Sequence, residues 1–145
     1  MGPDDGYLGE LKALVKALRM EDKVLITGPL YGRSKLEAYV NADVYVLPSR
    51  YETFPMSVLE AIAWRTPVIL TENCGIARYF NEKVGLVVKP DSSHIQEALF
   101  EMLLNRKRQS IFRGNCKTAI ERFNISKTVS NLEEVYYEMV NGYRY

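Results

Sequence analysis

The chain has 145 residues and a net charge of +1, with 47% hydrophobic and 26% charged residues. This balance is typical of one globular domain and gives no electrostatic reason to expect nucleic acid as a partner. No apolar run approaches the roughly 18 residues that cross a bilayer, and the N-terminus lacks the regions of a signal peptide. Cys74 and Cys116 form no disulfide framework, so we expect a cytoplasmic chain with reduced thiols.

The first third of the chain predicts two helices on either side of a short strand. Leucines and valines recur at helical spacing and predict an amphipathic helix over residues 7–20. An apolar run at residues 24–26, followed by a glycine-proline turn, predicts a buried strand. Ser34 with Glu37 fits a capping box and predicts a short helix that ends near residue 42.

The rest of the chain alternates between apolar strands and amphipathic helices. Strands are predicted at 44–47, 68–70 and 86–88, and helices at 55–64, after Gly75, after a capping box of Ser93 with Gln96, at 106–123 and at 127–140. Strands that are apolar on both faces and alternate with helices indicate a parallel sheet covered on both sides. The sequence therefore predicts an α/β, Rossmann-like fold in a single domain over residues 1–145.

One ordered string of residues carries most of the information about function. It reads Ala42-Asp43-Val44-Tyr45-Val46-Leu47-Pro48-Ser49, then Glu52, then Leu59-Glu60-Ala61-Ile62-Ala63, then Pro67-Val68-Ile69. Seven residues separate Glu52 from Glu60. A bare pair of glutamates at this spacing is common, but the whole string between a strand and a helix is specific.

The loop after the strand at 44–47 leads into the N-terminus of the helix at 55–64. In open α/β sheets, ligands bind beyond the carboxyl ends of the strands. We expect the backbone N–H groups of Met56, Ser57 and Val58 to lack intrahelical acceptors, and with the helix dipole they favour an anion such as a pyrophosphate. An ionised glutamate accepts hydrogen bonds with both oxygens, which suits adjacent sugar hydroxyls.

These features resemble the E-x7-E signature of the retaining family 4 glycosyltransferases, which have the GT-B fold. Segments 2–7, 24–28 and 85–91 resemble the flanking segments of that family, so the resemblance covers almost the whole chain. It implies the C-terminal, donor-binding domain of such an enzyme, in which Glu52 takes the catalytic position and holds the donor sugar while Glu60 holds the ribose. The residues that line the sugar and phosphates are then Thr53, Phe54, Pro55, Met56 and Ser57.

The resemblance also implies a reaction. A hexosyl group moves from a nucleoside diphosphate sugar to a hydroxyl acceptor with retention of configuration, without a cofactor, a metal or a covalent nucleophile. The family's acceptor-binding domain and a basic pair that neutralises the donor phosphates lie upstream of the segment at Gly2. We therefore expect an N-terminally truncated chain that binds nucleotide sugar weakly and is inactive alone. A natural start at Met1 would favour the alternative, a non-catalytic Rossmann-like module that binds nucleotide or a partner protein.

The family also has two strands upstream of the segment at Gly2, and their absence from this sequence has a consequence for assembly. In a Rossmann-type strand order, the missing strands lie between the strands at 24–26 and 44–47. The gap they leave would expose unpaired backbone N–H and C=O groups, which costs free energy. Either these two strands pair directly or a second copy covers the gap. We therefore predict a homo-oligomer whose interface involves one of these strands.

Several single residues have an ordinary structural interpretation beside a functional one. We expect Glu52 and Glu60 to flank one concave site, although Glu60 alone fits a solvated helix face and Glu52 fits a charge that complements a helix dipole. Tyr31 is interpreted either as a nucleobase-stacking residue or as packing. His94, at a helix start, is not expected to be catalytic, and Cys74 is expected to be a buried, inert thiol.

Overall fold

The computed structural model describes Asp4 and residues 6–142, so part of the segment 2–7 lies outside the described residues. The chain divides into two compact units, one up to Ala38 and one from Tyr39 onward. The first unit contains α1 (Leu8–Ala17) and most of α2 (Gly32–Asn41). The Asp4 carboxylate accepts the N–H groups of Gly6 at 2.8 Å and Leu8 at 3.2 Å, which satisfies two backbone donors at the start of α1.

Two predictions for this unit are wrong. Residues 24–26 form no strand, and Leu25 is 81% exposed. A strand needs a hydrogen-bonded neighbour, and no strand is present elsewhere in the described part of this unit. The predicted capping box also fails, because α2 begins two residues before Ser34, and Glu37 instead pairs with Arg33 Nε at 2.7 Å.

The second unit is an α/β layer structure, as the sequence predicts. Its elements in chain order are β1 (Tyr45–Leu47), α3 (Met56–Ala63), β2 (Val68–Thr71), a 3₁₀ turn (Ala77–Tyr79), β3 (Gly85–Val88), α4 (Ser92–Leu104), α5 (Arg106–Glu121) and α6 (Ile125–Gly142). The three strands form a parallel sheet in the order β1-β2-β3. Val68 stands opposite Tyr45 on one side and Gly85 on the other, which fixes the register.

Helices cover both faces of this sheet. Val68 and Leu70 belong to one buried cluster with α3, whereas Ile69 belongs to a second cluster that includes Met102 of α4 and Phe112 of α5. This alternation follows from the two-residue period of a strand, which sends successive side chains to opposite faces. The central strand is therefore fully buried, as a parallel sheet between helix layers requires.

A side chain caps the N-terminus of α4. The carboxylate of Asp91 caps α4 by accepting the His94 N–H at 3.0 Å, so the cap is Asp91 and not the predicted Ser93. An aspartate after a proline is at least as good a cap as a serine, and it lies one residue before the helix. In the last helix, α6, none of the 18 residues is buried. Across the part of the chain that the structure describes, no helix is both long and apolar enough to cross a membrane.

Candidate functional site

The loop after β1, residues 48–54, is fastened to the loop after β2, residues 72–75. Four hydrogen bonds join the two strand ends: Thr71 Oγ1 donates to the Ser49 carbonyl, Asn73 Nδ2 to the Arg50 carbonyl (2.8 Å), the Glu52 N–H to the Asn73 carbonyl (3.4 Å), and the Gly75 N–H to the Glu52 carbonyl (2.8 Å). Both loops leave the carboxyl edge of the sheet, where ligands bind in this class of fold. The backbone of Glu52 is therefore held by the loop that follows β2.

Gly75 allows the two loops to approach this closely. A Cβ atom at Gly75 would lie 2.4 Å from the carbonyl oxygen of Thr53, which is a steric overlap with backbone. The neighbouring Cys74 is 2% exposed and its side chain belongs to the core cluster, so it does not crowd the loop. The side chain is buried as predicted, and burial raises the pKa of the Cys74 thiol, which disfavours the reactive thiolate.

The loop ends at the N-terminus of α3. Pro55 is the N-cap in an extended conformation, and no side chain caps the helix. The N–H groups of Met56 and Ser57 have no acceptor among the described residues. The Val58 N–H, predicted to be free as well, donates to the Pro55 carbonyl at 3.1 Å because the first turn is tightened. Two backbone donors, rather than three, therefore remain at this helix end.

Glu60 lies in the second turn of α3 and is half-buried. Its Oε2 accepts the hydroxyl of Tyr39 at 3.0 Å. Burial, followed by the hydrogen bond and the charge of Glu60, raises the pKa of Tyr39 above its ordinary value. Glu60 is therefore not a freely solvated residue on an exposed helix face, which removes its plainest structural interpretation. No local sequence pattern signals this contact, because the two residues lie 21 positions apart.

The seven predicted site residues occupy one continuous loop and helix start. Thr53, Phe54 and Met56 are exposed, Glu52 and Ser57 are half-buried, and Pro55 is buried. The placement at a strand end and a helix N-terminus is the one that the sequence predicts. Contact of these residues with a donor, and a shared concave site for the two glutamates, stay predictions.

An aromatic cluster supports the end of this loop. The Phe54 ring lies 6.0 Å from that of Phe123, which follows α5. Phe123 also packs against Phe80 at 5.3 Å and Tyr79 at 5.9 Å between ring centroids. The guanidinium of Arg122 lies 4.2 Å from the Tyr79 ring centroid. No local sequence pattern distinguishes Phe123, because its contacts are with residues far away in the chain.

Other candidates lie elsewhere. His94 Nδ1 contacts the Asp91 carboxylate at 2.7 Å, so the histidine serves a helix cap. Tyr31 is 78% exposed, so core packing does not account for it. A surface depression of about 390 Å³ between the 3₁₀ turn and α5 includes none of the predicted site residues; it is lined by Tyr79, Lys83, Asn115, Thr118, Ala119 and Arg122. Among residues 6–142 and Asp4, no three His, Cys, Asp or Glu residues gather as metal ligands would.

Comparison with solved structures places this fold among the GT-B glycosyltransferases. Sucrose-phosphate synthase from Thermosynechococcus elongatus superposes with a TM-score of 0.81 at 25% identity, over 97% of this chain and 37% of that protein. HepE from Anabaena, solved in complex with UDP, has the same fold with a TM-score of 0.81 at 18% identity, over 91% of this chain and 37% of HepE.

Sequence comparison gives the family. The family model for glycosyl transferases group 1 matches residues 2–119, and the chain belongs to this family. Mannosylfructose-phosphate synthase from Agrobacterium fabrum is 42% identical over 71 residues, which is 49% of this chain and 16% of that enzyme. A D-inositol 3-phosphate glycosyltransferase from Saccharomonospora viridis is 25% identical over 99% of this chain and 34% of its own length. The chain thus spans about a third or less of these curated relatives.

Proposed function

We propose that the chain is the donor-binding part of a retaining glycosyltransferase, which moves a hexosyl group from a nucleoside diphosphate sugar to a hydroxyl acceptor. The observation that carries this proposal is the fastened loop at the carboxyl edge of the sheet, which leads from Glu52 into the open N-terminus of α3. Family membership and the UDP-bound state of HepE, a protein of the same fold, support it.

Each part of the proposed donor meets a group of suitable chemistry. The free N–H groups of Met56 and Ser57, with the positive end of the α3 dipole, suit the diphosphate. Glu52 accepts hydroxyls of the donor sugar, and Glu60, about 6 Å further along the helix from Met56 at 1.5 Å per residue, accepts hydroxyls of the ribose. The reaction needs no cofactor beyond the donor and no metal.

The residues named above are proposed to bind the donor and not the acceptor. We propose that the acceptor-binding domain and the cations that neutralise the diphosphate belong to a further part of the protein, because the chain spans about a third or less of its curated relatives. We expect the 145-residue chain alone to bind the donor weakly and to transfer no sugar.

Two substitutions separate the roles of the glutamates. Nuclear magnetic resonance (NMR) titrations of the chain with UDP, GDP and ADP, and with the corresponding glucose nucleotides, measure the two halves of the donor. Glu60→Gln is expected to weaken the free nucleotide and the sugar nucleotide alike, by about tenfold or more, because a charge-assisted hydrogen bond is lost. Glu52→Gln is expected to weaken only the sugar nucleotide.

The matched control is Glu97→Gln, which removes the charge of an exposed glutamate on α4 and should change neither affinity. Equal loss of both ligands in the Glu52 variant, or no loss in either variant, would refute the assignment of the two glutamates. Absence of any nucleotide binding to the unsubstituted chain would count against the proposed function as a whole.

A further inference from the structure

Tyr39 lies in the last turn of α2 and reaches Glu60 on α3. Its hydroxyl donates to Glu60 Oε2 at 3.0 Å. The side chain is 8% exposed and belongs to the core cluster, so the ring cannot move away without uncovering apolar surface. We propose that Tyr39 is a positioning residue that holds Glu60 Oε2 in the orientation needed for the donor ribose, an inference that rests on the proposed function.

The position of Tyr39 is fixed at three points. Thr66, itself fully buried, donates its hydroxyl to the Tyr39 carbonyl at 2.6 Å. The Tyr45 ring of β1 packs edge to face on the Tyr39 ring, with centroids 5.7 Å apart and planes at 65°. The hydroxyl on Glu60 completes the set. A glutamate on a two-turn helix is thereby connected through Tyr39 to β1 and to the segment that precedes β2.

In the hydrogen bond between Tyr39 and Glu60, the hydroxyl is the donor and the carboxylate is the acceptor. A tyrosine hydroxyl is protonated at neutral pH, and burial and the neighbouring Glu60 raise the pKa of Tyr39 further, so it acts as a donor. An ionised carboxylate only accepts, and therefore one oxygen of Glu60 is committed to a rigid neighbour. Glutamate side chains lose substantial rotamer freedom when they bind a ligand, and a pre-set orientation reduces that loss. Tyr39 thus acts on affinity through Glu60 without touching the ligand.

Tyr45 provides a matched control. It is a half-buried tyrosine in contact with Tyr39, and its hydroxyl has no hydrogen-bond partner among the described residues. Tyr39→Phe and Tyr45→Phe therefore remove the same atom from adjacent rings, one with a partner and one without. Thermal unfolding of both variants checks that each is folded before binding is measured.

The test titrates the chain, by NMR, with UDP, GDP, ADP and inorganic pyrophosphate. Tyr39→Phe is expected to weaken the tightest nucleoside diphosphate by about tenfold, and Tyr45→Phe by less than about twofold. Pyrophosphate has no ribose, so Tyr39→Phe should leave its binding unchanged. In a Glu60→Ala background, Tyr39→Phe should have no further effect, because the acceptor of its hydroxyl is already removed.

Several outcomes overturn the inference. If Glu60→Gln weakens nucleotide binding while Tyr39→Phe does not, the inference fails and the proposed function stands. If the unsubstituted chain binds no nucleoside diphosphate, both fail. Should Tyr39→Phe not fold, carbon-labelled wild-type chain replaces it: the Tyr39 Cζ and Glu60 Cδ resonances should shift with one common dissociation constant, and a Cζ resonance that stays still while Cδ moves contradicts the inference.

Discussion

Gly75 is required by space rather than by backbone conformation. Its φ lies outside the left-handed region, so alanine could adopt the same conformation, but the added Cβ would lie 2.4 Å from the Thr53 carbonyl oxygen. That oxygen is backbone and cannot rotate away. The conflict is relieved only by moving the loop that carries Glu52, because the Gly75 N–H is also bonded to the Glu52 carbonyl.

We therefore expect Gly75→Ala to destabilise the chain by about 1–3 kcal/mol, as overpacking typically does. It should also weaken donor binding, because the strand-end loops separate. Gly114→Ala is the control: nothing lies within 4 Å of its added Cβ, and alanine favours the helix α5. Urea denaturation with both variants checks this, and an unchanged midpoint for Gly75→Ala would show that the loop yields without cost.

Some residues of the string over residues 42–69 make structural contacts, and the sequence alone does not distinguish them from candidate binding residues. Asp43 is as prominent in the string as Glu52, yet its carboxylate accepts Arg106 at 3.0 Å and its carbonyl accepts Gln109 at 3.1 Å. Asp43 therefore fixes α5 against the start of β1. Such contacts join residues more than 60 positions apart, and no local pattern in the chain encodes them.

At the scale of elements, the end of α3 contains a residue in an unfavourable conformation. The Thr66 N–H bonds to the Ala61 carbonyl and the Arg65 N–H to the Ile62 carbonyl, both at 2.9 Å, which is the Schellman pattern. That pattern places Arg65 in the left-handed region with φ of 62°, a position that glycine usually occupies. The turn aligns β2 with the helix that precedes it, so the strain is kept by the surrounding core.

Replacing Arg65 with glycine should relieve this strain and raise the stability by about 0.5–1 kcal/mol, the excess of the left-handed cost over the entropy cost of glycine. Arg65→Ala keeps the unfavourable φ and should give no such gain. The midpoint of thermal unfolding distinguishes the two variants. A lower midpoint for Arg65→Gly would indicate that the arginine side chain contributes more than its conformation costs.

Elements were predictable where the local pattern and the tertiary partners agree. The three strands at 44–47, 68–70 and 86–88 were found within a residue of their predicted bounds because helices cover both of their faces. The apolar triplet at 24–26 carries the same local signal but has no strand beside it in its own unit, and it forms none. A short apolar run therefore indicates a segment that can be buried, but it forms a strand only where a neighbouring strand pairs with it.

At the scale of the whole molecule, β1 is an edge strand of the sheet, and its outer edge is a candidate for pairing. The Tyr45 N–H bonds to the Pro67 carbonyl at 2.8 Å toward β2, so the next N–H, that of Val46, points to the opposite edge of β1. Within the described residues no strand pairs with that edge, and the expected pairing with residues 24–26 does not occur. Direct pairing of the two predicted strands is therefore excluded, and coverage by a second copy stays a prediction.

We expect the chain to self-associate through this edge, since an open strand is a template for a second copy. Val46→Pro removes the outward N–H and leaves the bonds to β2, so it should give a monomer, whereas Val46→Thr keeps the N–H and should still associate. Sedimentation equilibrium measures this over a concentration range, and circular dichroism checks that both variants are folded. A strictly monomeric wild-type chain at high concentration would contradict the expectation.

The helix α6 affects how the chain responds to denaturant. None of its 18 residues is buried, and its large apolar side chains from Val129 to Val140 are 45–76% exposed in the folded state. The denaturant m-value and the heat-capacity change scale with the surface newly exposed on unfolding. These 18 residues therefore add less to either quantity than their number suggests, and most of both comes from the sheet and the helices α3 to α5 that enclose it.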